Sequence, residues 1–202
     1  MTRATRLRLA TALVGLAIAL YGCTPYLNIG DSVGAGPSAY PYHVAASERV
    51  NRAIPGDYLP FLTYAVETDP AYAQDLERAG LVTISIGGND LMLAADQCGP
   101  DPDCVAARLA LFRSGYGRLL DSVQARTDGR IVVLEIYLPF DVPEPFYGGW
   151  QSANAAINAS ACERGIAVAR VADMPRALLA GLHPTPEGSK WIAERVAQAR
   201  PC

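Results

Sequence analysis

At 202 residues, half of them apolar and 18% charged, the chain fits one globular domain with a sizeable core and leaves no material for a second. Residues 1–22 hold three arginines and no acids, so the remainder carries 14 basic against 20 acidic side chains, a net of −6. Such a surface has no reason to seek nucleic acid.

Taken in order, the chain opens on an export pattern. Arg3, Arg6 and Arg8 form a basic region, Leu9 to Leu20 an apolar one, and small residues follow. The apolar stretch is shorter than the about 20 residues that span a bilayer. Leu20-Tyr21-Gly22-Cys23 resembles the lipobox of bacterial lipoproteins, with Cys23 as the lipidated residue, whereas Ala17-Ile18-Ala19 offers ordinary cleavage and free secretion. Five cysteines leave one unpaired in an exported chain, and lipidation of Cys23 leaves four that can pair. The local pair is Cys98 with Cys104, flanking a Gly-Pro-Asp-Pro-Asp turn, which leaves Cys162 for Cys202. The expected boundaries are therefore a signal over 1–22 and one domain over 23–202.

Tyr26 to Ile29 reads as a strand that delivers Gly30-Asp31-Ser32, with Gly34 and Gly36 permitting a tight backbone after it. Val50 to Ile54 is a second strand, closed by Pro55-Gly56. Tyr58–Glu67 and Pro70–Ala79 have helical spacing and end at Gly80. Leu81 to Ile86 is an uninterrupted, β-branched strand ending in Gly87-Gly88-Asn89-Asp90. After the Cys98–Cys104 loop, Val105–Arg126 places Leu109, Phe112, Tyr116, Leu119, Leu120 and Val123 on one helical face. Ile131–Tyr137 is a fourth strand, Leu138–Trp150 a Pro-rich aromatic loop, Gln151–Arg164 a helix, Ile166–Val171 a fifth strand and Glu187–Ala199 the last helix. Strands alternating with helices predict a three-layer α/β/α sandwich with a five-stranded parallel, flavodoxin-like sheet, whose ligands bind along the carboxyl edge.

Ser32 and Asn89 both follow strands at that edge. A serine hydroxyl needs an imidazole to take its proton and donors aimed at the developing oxyanion. Of the two histidines, His183 lies between the last strand and the last helix, on the same edge, and His43 lies in an aromatic loop and reads as a loop or pocket-wall residue.

Gly30-Asp31-Ser32, Asn51-x-Ala53-x-x-Gly56, Gly87-Gly88-Asn89-Asp90 and His183-Pro184 together resemble the four blocks of the SGNH hydrolases, the GDSL esterase/lipase family. The resemblance covers the chain beyond the leader. It implies a carboxylic ester hydrolase with Ser32 as nucleophile and His183 as base. The oxyanion hole would be formed by the N–H groups of Ser32 and Gly56 and the amide of Asn89. No cofactor and no metal are implied. The family's D-x-x-H acid is missing, because Ala180 stands there. A backbone carbonyl could orient His183, Asp173, Asp141 or Glu144 could substitute, or the site could be impaired. Losing such an acid costs about 10⁴-fold in kcat in well-characterised triads.

Bland readings stand beside these. Tyr58, Phe61 and Tyr64 recur every three residues, the spacing of core packing. Asp31 and Asp90 read as turn or capping residues, Glu135 as an edge or ion-paired residue, and Asp96, Asp101 and Asp103 as solvated turn acids rather than a calcium loop. Phe140, Phe146, Tyr147 and Trp150 leave strand four on the catalytic edge and are candidates for the substrate mouth. The expectation is an exported, monomeric hydrolase of small-molecule, lipid or carbohydrate esters, tethered through Cys23 or secreted. The rival is an impaired envelope lipoprotein that keeps the fold as a binding scaffold.

Overall fold

The computed structural model describes residues 24–139 and 144–201 and, of residues 144–146, the backbone alone. The leader, Cys23, Phe140, Asp141, Cys202 and the side chains of Glu144 and Phe146 lie outside the described residues. Five parallel strands form the sheet: β1 (Pro25–Gly30), β2 (Glu48–Asn51), β3 (Leu81–Ser85), β4 (Arg130–Leu134) and β5 (Ala167–Ala169). Their order is β2-β1-β3-β4-β5, the flavodoxin-like arrangement. A sixth strand, β8 (Arg200–Pro201), pairs antiparallel with β5, so the expected five-stranded parallel sheet is corrected to six with an antiparallel edge.

Both faces of the sheet are covered, which is why β3 is buried at every position. Successive side chains alternate between two cores. Leu27, Ile29, Val82, Ile84 and Val133 pack under α1 (Leu59–Thr68), α2 (Pro70–Arg78), α4 (Pro102–Gln124) and α5 (Glu144–Cys162). Tyr26, Leu81, Val132 and Leu134 pack against α6 (Pro186–Gln198) and the 3-10 turn Tyr40–His43. Gly30 is obligatory at the end of β1: its φ is +138°, and a Cβ there would stand 1.9 Å from the Ser85 carbonyl oxygen.

Three sequence expectations need adjusting. α3 (Gly88–Cys98) occupies a stretch of which the sequence shows only the polar cluster at its start, and α4 and α5 each begin earlier than their spacing suggested. The second strand begins at Glu48 rather than Val50, on the exposed edge where polar residues are tolerated. Phe61 and Tyr64 are not core. The buried stripe of α1 is Leu59, Leu62, Thr63 and Val66, which turns Phe61 and Tyr64 outward at 66% and 67% exposure. Cys98 and Cys104 are bonded, and Cys162 is also in a disulfide, its expected partner Cys202 being outside the described residues.

Candidate active site

Four segments converge at the carboxyl edge of the sheet. The turn after β1 carries Ser32, held because Asp31 donates its N–H to Ser85 and accepts from Val33 through its carboxylate. Asn51, the last residue of β2 and paired with Asn28 of β1, donates to the Gly34 carbonyl and accepts from the Asn28 side chain and the Ala53 N–H, so the second sequence block clamps the loop that follows the serine. Asn28 is fully buried, and its side-chain oxygen Oδ1 accepts from the Tyr40 and Thr83 hydroxyls.

The third segment is the first turn of α3. Asn89 donates to the Asp57 carbonyl at 2.8 Å, and the Asp90 carboxylate accepts the N–H of Leu59, the first residue of α1. Asp90 therefore caps a neighbouring helix. Together the two bonds fix the Pro55-Gly56-Asp57 loop against α3, and Gly56 adopts φ +80°, a left-handed conformation that suits glycine.

His183 comes from a hairpin, β6 (Leu179–Ala180) with β7 (His183–Pro184), in which Ala180 pairs directly with His183. The Tyr137 hydroxyl donates to the Leu182 carbonyl at 2.8 Å, tying this hairpin to the segment that follows β4. Thr185 donates its N–H to Leu178 and caps α6 by accepting from Gly188. The result places His183 Nε2 3.0 Å from Ser32 Oγ, across 151 residues of sequence.

A cavity of about 340 Å³ opens on this pair, lined by Ser32, Gly56, Asn89, Met92, Leu182 and His183 among others. The N–H groups of Ser32 and Gly56 have no acceptor among the described residues, and one hydrogen of the Asn89 amide is left after its bond to Asp57. Unpaired donors on a cavity wall, next to a hydroxyl and an imidazole, are the parts that acyl transfer requires. Burial pushes the Asp31 carboxyl up to about 7 and the Asp90 carboxyl up to about 6, and burial raises Asp57 as well. Three carboxyls thus lie close together at the nucleophile turn, each held above its ordinary range first by burial.

The residue sequence profile of the family described as GDSL-like lipase/acylhydrolase matches residues 21–191. The chain belongs to that family. Solved structures with the same fold include a lipase from a goat rumen metagenome, at TM-score 0.73 and 16% identity over 87% of this chain and 97% of that one. The W215I form of Axe2, an acetyl xylan esterase from Geobacillus stearothermophilus, aligns at TM-score 0.63 and 19% identity, covering 86% and 92% of the two chains. Phospholipase A1 from Streptomyces albidoflavus NA297 aligns at 0.63 and 18%, covering 86% and 99%. No curated protein matches the chain.

In this GDSL-family hydrolase the sequence-predicted residues divide into two sets. Ser32, Gly56, Asn89 and His183 line one cavity. Asp173 does not join them: it is exposed, and its carboxylate pairs with Arg195 at 3.8 Å. No carboxylate among the described residues bonds to the His183 imidazole, which meets Ser32 Oγ. Trp150 donates to the Ile136 carbonyl and meets the Tyr147 ring at a tilt, centroids 5.3 Å apart, and neither lines the cavity. His43 is exposed at the end of its 3-10 turn. Glu135 is ion-paired with Arg170 and also accepts from Asn158 and Ala172. Asp101 caps α4. The residues missed by sequence reading are Asp57, Met92, Tyr137 and Leu182. Of these only Leu182 had a signal, its place beside His183.

Proposed function

We propose that this protein is an exported carboxylic ester hydrolase working through an acyl-enzyme on Ser32. The observation that carries the reading is the 3.0 Å approach of His183 Nε2 to Ser32 Oγ, beside donors on Ser32, Gly56 and Asn89 facing the same cavity. With its proton on Nδ1, His183 accepts the Ser32 proton at Nε2 while Oγ attacks the ester carbonyl carbon. The carbonyl π electrons move to oxygen, and the three N–H donors hold that oxyanion. As the tetrahedral carbon collapses, the alcohol leaves and takes the proton from Nε2. Water then gives a proton to Nε2 and attacks the acyl-enzyme, and Ser32 departs with that proton restored.

The Cys98–Cys104 bond supports an oxidising compartment, in keeping with the leader. Lipidation at Cys23, against free secretion, belongs to the same proposal. A serine-directed fluorophosphonate should label the folded protein. Ser32→Ala should lose the label and lower kcat for p-nitrophenyl acetate by at least about 10³-fold. A folded protein that takes no label and hydrolyses no ester is instead the binding scaffold. Hydrolysis surviving both Ser32→Ala and His183→Ala overturns the mechanism.

A further inference from the structure

His183 stands on the least supported part of the site. The hairpin that carries it has two residues in each strand, and a pair of strands so short does not hold its shape alone. Its base is secured. Leu179 is buried in the core, and Thr185 donates its N–H to the Leu178 carbonyl while capping α6. From Ala180 to His183, however, every residue is exposed, and Gly181 turns the chain at φ +64°. The other hairpin residues, Leu179, Ala180, Gly181, Leu182 and Pro184, offer no polar side chain to steady the imidazole.

One hydrogen bond reaches this tip from the body of the protein. Apart from the contact of His183 with Ser32, the bond from the Tyr137 hydroxyl to the Leu182 carbonyl is what ties the tip to the sheet among the described residues. The oxygen it holds belongs to the peptide unit that leads into His183. A peptide unit is planar, so holding its carbonyl also holds the N and Cα of His183, the atoms from which the imidazole is hung.

Tyr137 is suited to that task. It is 6% exposed, and its ring sits in the core with Leu134, Val171 and Met174, which aims the hydroxyl. Burial raises the pKa of that hydroxyl above its ordinary value, so it remains a donor throughout the range in which an imidazole titrates. The residue lines the catalytic cavity, but its proton is committed to the Leu182 carbonyl and is not offered to a substrate oxygen.

We propose that Tyr137 is a positioning residue for the base, its bond to the Leu182 carbonyl setting where His183 Nε2 stands over Ser32 Oγ. The proposal rests on the ester-hydrolase reading above. It is distinct from the gap at Ala180, which concerns how the ring is turned rather than where it is hung. Misplacing a reacting group by about 1 Å costs up to about 10²-fold, and the loss falls on kcat when the contacts that bind substrate are unchanged.

The test is Tyr137→Phe, which keeps the ring in the core and removes the hydroxyl. Competent sites are counted by exhaustive fluorophosphonate labelling, and kcat and KM for p-nitrophenyl acetate are expressed per labelled site. kcat should fall at least about tenfold with KM within about threefold, and the rate of labelling should fall with it, because both need His183 to take the Ser32 proton. In hydrogen exchange read by mass spectrometry, the 179–184 segment should exchange faster in the variant while β3 and α4 keep their protection. The proposal is overturned by a kcat per site within about twofold of the wild type, and equally by a smaller labelled fraction with kcat per site unchanged, which is a merely structural role. A rise in KM that accounts for the whole loss in kcat/KM overturns it by making Tyr137 a wall of the substrate cavity. Unchanged exchange over 179–184 overturns it by taking the hairpin out of the effect. A wild-type protein that takes no label and hydrolyses no ester removes the functional reading and this proposal together, whereas an active wild type beside an equally active Tyr137→Phe removes this proposal alone.

Discussion

Ala180 and His183 face each other as a cross-strand pair in the β6–β7 hairpin. Directly opposed residues of an antiparallel pair hold their Cβ atoms about 5 Å apart on one face, so an acid at position 180 would stand beside the imidazole. That places the missing carboxylate of the D-x-x-H block within reach of the ring, where it would fix the Nδ1–H tautomer and support the imidazolium. Ala180→Asp should therefore raise kcat for p-nitrophenyl acetate by at least about tenfold, with about 10⁴-fold as the ceiling set by acid removal in other triads. An unchanged kcat, from a measurable wild-type rate, would mean that another group already orients the ring. Ser32, Gly56, Asn89 and His183 were readable from residue type and motif spacing, whereas Met92 and Tyr137, which line the same cavity, carried no signal of their own. The absence of Asp173 was not readable, because proximity to a histidine in sequence says nothing about which side of the β5–β6 connection an aspartate leaves.

Among the elements, those with a single clear period were legible and those with mixed signals were not. β3 announces itself because both its faces are buried and every position favours β-branched or apolar side chains. α3 hides because it starts at Gly87-Gly88 without a side-chain cap, the two glycines reading as turn rather than helix. Phe61 and Tyr64 mislead because spacing fixes which residues share a face and not which face meets the sheet. β8 has two residues and no pattern of its own, and exists because β5 offers it an open edge. The Cys98–Cys104 bond closes the end of α3 onto the start of α4, with the cysteines six residues apart. Closing so short a loop restricts the unfolded chain by about 2 kcal/mol. Replacing both cysteines by serine should lower unfolding stability by about that amount, seen as a lower urea midpoint. An unchanged midpoint would show that packing alone holds the α3–α4 corner.

On the scale of the molecule, the parallel sheet brings a serine near one end of the chain and a histidine near the other to the same edge, and this convergence buries carboxyl groups under the site. Asp31 is 4% exposed, and burial is the main reason its carboxyl rises from 3.8 to about 7, with Asp90 and Asp57 adding like charge and the Val33 N–H opposing. The sign of the linkage follows. The folded state holds this proton more tightly than the unfolded chain, so between about pH 4 and pH 7 it binds more protons and stability falls as pH rises. Below that window both states are protonated and no penalty exists; above it the penalty is complete, at most about 4 kcal/mol for a shift of this size. Asp31→Asn keeps an acceptor for Val33 and removes the charge. Its melting temperature should match the wild type near pH 4 and exceed it near pH 8, by up to about 10 °C for a chain of this size. A variant that is equally or less stable than the wild type at pH 8 would mean that Asp31 stays ionised in the fold and that the turn beneath Ser32 is stabilised by its charge.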